Sequence, residues 1–93
     1  MNTKNVYRRF WFEFEIESAF NHPSGIGRGC GITAIDYEDA VRILDEKVFT
    51  SKVRPPFKSI IEDVDISILD QVHVIPNMKS PTYRGIWFPL GYD

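Results

Sequence analysis

The chain has a single cysteine, Cys30, in 93 residues. No disulfide can form within it, and that usage suits a reducing compartment. Long apolar runs are absent too. None is long enough to span a bilayer, and the opening Met-Asn-Thr-Lys-Asn-Val-Tyr-Arg-Arg has no signal-peptide core. The expectation is a cytoplasmic protein with no membrane contact. Charge of one sign is equally scarce: 11 Lys and Arg against 13 Asp and Glu leave a net −2. With a pI near 5.6 there is no global basic field for nucleic acid or anionic lipid. A local basic patch is still open to Arg8, Arg9, Lys52, Arg54 and Lys58, which flank a more acidic middle. There is no internal repeat, low-complexity tract or linker, and the length suits one domain over residues 1–93.

What is plentiful is aromatic side chain: seven Phe, four Tyr and two Trp within a 43% hydrophobic composition. A small domain buries a low fraction of its surface, so these large rings are the natural filling for its core.

Over Val6–Ser18, Phe10, Phe12, Phe14 and Ile16 alternate with Trp11, Glu13, Glu15 and Glu17. A period of two predicts a strand with one buried and one wet face. Trp11 shares the glutamate face, so it is either covered by the chain itself or offered to a partner. Residues Ala19–Gly29 carry Asn-His-Pro-Ser-Gly and further glycines, which predicts a hairpin connection to an antiparallel strand at Cys30–Ile35. Asp36 then stands as a helix N-cap before Tyr37-Glu38-Asp39. Val41, Leu44 and Val48, extended by Tyr37 and Ala40, make the apolar stripe of a helix over Tyr37–Val48.

Pro55 and Pro56 break regular structure, and a third strand follows at about Phe57–Val64. Asp63 to Asp70 suggests a capped helical turn. A short extended piece at Val72–Ile75 and a last strand at Tyr83–Phe88 complete the reading. The order is β-β-α-β-β. It predicts an α+β fold, a four-stranded, mostly antiparallel sheet with one main helix on one face. The β2-α-β3 portion admits a right-handed crossover that would make those two strands a parallel pair.

Four patterns bear on chemistry. Gly25, Gly27, Gly29 and Gly31, with Arg28 among them, resemble a phosphate loop, but a strand separates Gly31 from the helix cap. Flexible loop or close packing is the plainer reading; a nucleotide or nucleic-acid binder is the alternative. Cys30 has only His22 and His73 as bases, at no diagnostic spacing. Glu62, Asp63, Asp65, Asp70 and His73 are the acid–base or metal candidates, with Asp70 and His73 three apart. They lack the spacing of an EF-hand or zinc site, so no metal or other cofactor is assigned. Trp11, Tyr83 and Trp87 could form a stacking platform, against which the Glu13/Glu15/Glu17 stripe argues. An exposed Trp11 or Trp87 better suits a protein partner.

The run Gly-Cys-Gly-Ile-Thr-Ala-Ile-Asp-Tyr-Glu-Asp-Ala is similar to the Gly-Cys…Thr…Asp…Glu-Glu-Ala run of small antitoxins of the HicB type. It covers under a fifth of the chain and places it in no family. The resemblance leans toward binding and assigns no residue a role.

The expectation is a small protein-binding module that occludes its partner, in the manner of immunity proteins or antitoxins, and leans away from an enzyme. Its partner-binding residues would be Trp11, Glu13, Glu15, Glu17, Arg28 and Trp87. A basic protein is the partner such acidity would steer in, and a sheet edge offers a route to a homodimer. The alternative is a metal-dependent or acid–base enzyme using Asp63, Asp65, Asp70 and His73.

Overall fold

The protein is described by a computed structural model covering residues 7–16, 25–50 and 53–92. Strand β1 (Arg8–Phe14) is followed by β2 (Cys30–Ala34), helix α1 (Tyr37–Lys47), β3 (Phe57–Glu62) and β4 (Gly85–Phe88). Short 3₁₀ turns lie at Ile26–Arg28, Ile66–Ile68 and Ile75–Asn77. The strands form one sheet in the order β3-β1-β2-β4, every neighbouring pair antiparallel. The fold is thus a small α+β sheet with one helix.

The β2–α1–β3 segment is a crossover, but it steps over a strand. β2 and β3 both run antiparallel to β1 and flank it, so they point the same way without touching. The parallel pair admitted by the sequence is therefore replaced by β1 inserted between them. Phe10, Phe12 and Phe14 explain why: the longest alternating apolar strand takes the central place, where both its edges are paired.

The helix-side core joins Phe10, Phe12 and Phe14 to Cys30, Ile32, Ala34 and Ile86 of the sheet and to Ala40, Ile43, Leu44 and Val48. Ile16 packs against it partly buried. Ring contacts are close, Phe12 on Phe57 at 5.1 Å and Phe14 edge-on to Phe49 at 5.5 Å. Asp36 caps α1, its Oδ1 accepting from the Asp39 N–H at 2.8 Å. The buried stripe differs from the expected one: Ala40, Ile43 and Leu44 go inside, Val41 is half-buried and Tyr37 is 38% exposed. The helix is turned slightly from that reading because Asp39 must also face inward, where Arg84 waits.

The second face of the sheet is covered as well. Trp11, Trp87, Phe88, Val64, Leu69 and Val74 form a second buried cluster, flanked by Ile61, Ile66, Ile75 and Met78. The long passage from β3 to β4 supplies most of this cover. Thus β1 does not keep the expected wet face: Trp11 is 3% exposed and Glu13 half-buried. The extended piece expected at Val72–Ile75 is instead a turn entering the 3₁₀ helix at Ile75. It is wound by Val74 and Ile75 N–H groups donating to the Asp70 carbonyl. Asp63 takes a left-handed φ of 53° at the end of β3, a conformation Asp tolerates better than most. The chain turns there, and the Val64 N–H reaches the Arg9 carbonyl at 3.0 Å.

Candidate functional site

Two of the alternating glycines, Gly29 and Gly31, make room for the two tryptophans. A Cβ on Gly29 would come 2.8 Å from Trp11 Cε2, and one on Gly31 2.6 Å from Trp87 Cε3. Neither distance is tolerable for a real side chain, so the indoles lie flat on backbone that only glycine leaves bare. The two rings stack with centroids 5.9 Å apart, and Trp11 meets Phe88 at 5.8 Å. Cys30, between the glycines, points to the helix-side core, and burial pushes its thiol pKa up. A thiol held protonated is a packing group.

Above this platform opens a cleft of about 330 Å³. Trp11, Glu13, Arg28, Ile61, Ile68 and Asp70 line it. The Trp11 indole N–H donates to Glu13 Oε2 at 3.0 Å, so the buried ring fixes the carboxylate at the cleft wall. Facing it, Arg28 Nη1 lies 3.7 Å from Asp70 Oδ2, and His73 Nδ1 lies 3.1 Å from the same oxygen. Asp70 Oδ1 accepts the N–H groups of Val72 at 2.8 Å and His73 at 2.9 Å. The backbone bonds from His73 and then Val72, with the His73 ring behind them, hold the Asp70 carboxyl down at about 2. A second, more open depression of about 500 Å³ shares Gly27 and Arg28 and is bounded by His73, Asn77 and Phe88. Arg28 stands between the two.

Of the expected partner-binding residues, the structure brings Trp11, Glu13 and Arg28 to one cleft. Trp87 is 1% exposed within the same platform and does not line that cleft. Neither tryptophan presents an open indole face, because the β3–β4 passage folds over both. Glu15 is exposed beyond the end of β1, its N–H on the Pro56 carbonyl at 2.8 Å. Glu17 lies outside the described residues, as does His22. The contributions of Ile61, Ile68 and Leu69 escaped the sequence reading. The local sign for Ile68 and Leu69 was the apolar Ile66, Ile68 and Leu69 within a polar stretch, and Ile61 belonged to the apolar centre of the third strand.

No family model, curated protein or solved structure matches this chain.

The acidic candidates disperse into local roles. Glu62 and Asp63 face Arg8, at 3.3 and 4.0 Å. Asp65 caps the Ile66–Ile68 turn, accepting from the Ser67 hydroxyl at 2.7 Å and its N–H at 3.0 Å, and those bonds lower its pKa. Among the described residues no group of three or more His, Cys, Asp or Glu side chains is placed to hold a metal ion. The glycine segment makes a single 3₁₀ turn at Ile26–Arg28, far too short for a helix-dipole phosphate site.

One polar atom in the platform lacks a partner: the Trp87 indole nitrogen is buried without a hydrogen bond. On the opposite face, Asp39 is the buried carboxylate, its side chain only 6% exposed. It receives Arg84, Arg42 at 3.0 Å and the Ile35 N–H at 3.1 Å. These bonds tie the start of α1 to the approach to β4, a structural function.

Proposed function

We propose that this chain is a small protein-binding module that occludes a basic surface of its partner, with the cleft over Trp11 as the anchoring point. The observation that carries this reading is the Glu13 carboxylate at the wall of that cleft, held by the Trp11 indole at 3.0 Å. Its apolar lining, Ile61 and Ile68 above the buried Trp11 and Leu69, suits the methylene stem of a Lys or Arg side chain, with the head group meeting Glu13. Ile68, 66% exposed at the rim, and Val72, 70% exposed nearby in sequence, add apolar surface that a partner would cover. Arg28 opposite, already beside Asp70, would repel a misplaced cation and favour one orientation.

Binding is supported over acid–base or metal chemistry by how the carboxylates are used. Asp65 and Asp70 spend their lone pairs on their own turns, and Glu62 and Asp63 turn to Arg8. None of these groups is aimed at a shared point.

The test uses short peptides carrying one Arg or Lys in a neutral apolar context, titrated into the isotope-labelled protein. The expected result is saturable, salt-weakened binding that shifts the Trp11 indole N–H resonance. Glu13→Gln retains an acceptor for that N–H but removes the charge, and should weaken binding by about tenfold. Peptides that leave the indole signal unmoved, or bind Glu13→Gln as well as the native protein, would overturn the proposal.

A further inference from the structure

The two edges of the sheet are not equivalent. The outer side of β4 is partly covered, since the Lys79 N–H donates to the Trp87 carbonyl at 2.9 Å. β3 ends the sheet on the other side, and among the described residues no strand lies beyond it. Alternate N–H and C=O groups of such a strand point outward, ready for another chain. Its usable window is short and well defined. Pro55 and Pro56 precede it without N–H donors, and Asp63 at φ 53° turns the chain away after it.

We infer that β3 pairs antiparallel with β3 of a second copy of this chain, about a two-fold axis through Ile60. A two-fold that sets identical strands side by side must stand normal to the sheet, so facing residues share a face. Three such axes pass near the middle of this window, through Ser59, Ile60 and Ile61. A centre at Ser59 sets Lys58 against Ile60, while the bulge turns Phe57 to the helix side, away from the face of Ile61. A centre at Ile61 sets Lys58 against Val64 and Ile60 against Glu62. Only Ile60 sets opposite charges against each other, with Lys58 facing Glu62 twice, Ser59 facing Ile61, and Ile60 facing its own copy.

The exposure pattern agrees. Lys58, Ile60 and Glu62 are the exposed members of β3, and Ile60 keeps 37% of its surface open although apolar. Lys58 makes no ion pair among the described residues, while Glu62 already has Arg8 at 3.3 Å. In the pair Glu62 would lie between Arg8 of its own chain and Lys58 of the second copy. Opposite charges facing one another across antiparallel strands favour this register. The two α1 helices would lie on one face of a continuous eight-stranded sheet. The competing use of the same features is protective. Lys58 is the extra residue of the bulge between Ser59 and Phe57, and bulges with lysine blunt edges against pairing. The inference stands apart from the Glu13 proposal, since neither Lys58 nor Glu62 lines the cleft.

Sedimentation equilibrium of the full chain from about 10 μM to about 1 mM spans the range expected for so short an interface. The expected mass rises from one copy to two. Lys58→Glu alone and Glu62→Lys alone should each weaken self-association at least about tenfold. An equimolar mixture of the two variants should dimerise again, because each restores the opposite charges for the other. Circular dichroism confirms that each variant is folded, and Lys58→Glu leaves the Arg8–Glu62 pair in place. A native chain that stays monomeric at the highest concentration would overturn the inference, in favour of the protective reading. So would single variants that dimerise normally, or a mixture that fails to recover.

Discussion

Arg84 lays its guanidinium across the buried carboxylate of Asp39, Nε 2.9 Å from Oδ2 and Nη2 on Oδ1, although the two residues are 45 apart in sequence. The hydrogen bonds from Arg84 hold the Asp39 carboxyl below its ordinary range, outweighing burial, with the Ile35 N–H adding to them. In the unfolded chain the group titrates near 3.9. The folded state therefore binds fewer protons, and the pair's contribution is present above that pH and lost as pH falls through the folded value. Asp39→Asn should cost about 2 kcal/mol in urea unfolding at neutral pH, by stranding donors that now share one carboxylate. It should also flatten the decline in stability below about pH 4. A variant as stable as the native protein at pH 7 would show the pair to be idle.

Gly31 is a matter of space for Trp87. Gly31→Ala should destabilise by about 2 kcal/mol, since its methyl group meets the indole and overpacking is costly. In a Trp87→Leu background the same alanine should cost less than about 1 kcal/mol, because the obstructing ring is gone. Gly27, with nothing within 4 Å of a Cβ, is the control: alanine there should change stability by no more than about 0.5 kcal/mol. Equal costs at positions 27 and 31 would refute the packing account.

Asp70 should remain a carboxylate well below the usual range. Its side-chain carbon resonance is expected to titrate at about 2. Because the backbone donors lead, His73→Ala should raise that midpoint only partway toward an ordinary aspartate. The folded pKa is the depressed one, so any stability from this turn is present above the unfolded value and fades as pH drops toward 2. A titration near 4 in the native protein would contradict the turn geometry.

Cys30 is fully buried and its thiol pKa is raised by desolvation. Aromatic disulfide reagents should leave it unmodified in the native state and label it rapidly in denaturant. Fast native labelling would mean that β2 opens far more readily than its packing implies.

Local chemistry made much of this legible beforehand. The alternation of Phe10, Phe12 and Phe14 reads as a strand because a period of two can bury one row of rings, and that row is buried. Asp36 reads as a cap because its side chain needs only an N–H three residues on, which it finds. The site was less legible. Glu13 and Arg28 share a cleft with Ile68 and Asp70 only because β1, the glycine turn and the β3–β4 passage converge. No local spacing encodes that convergence.

The amino-acid sequence alone determined a strand and a capped helix, since each rests on a pattern within a few residues along the chain, and the order of such elements pointed to a mostly antiparallel α+β class. Tertiary structure alone decided that β1 sits between β2 and β3, that both tryptophans go inside, and that Asp39 is buried beneath Arg84. An alternating pattern shows that two faces differ, not whether distant chain will fold over the more polar one. Here the 63–80 passage covers it, and the bare backbone of Gly29 and Gly31 leaves the room beneath.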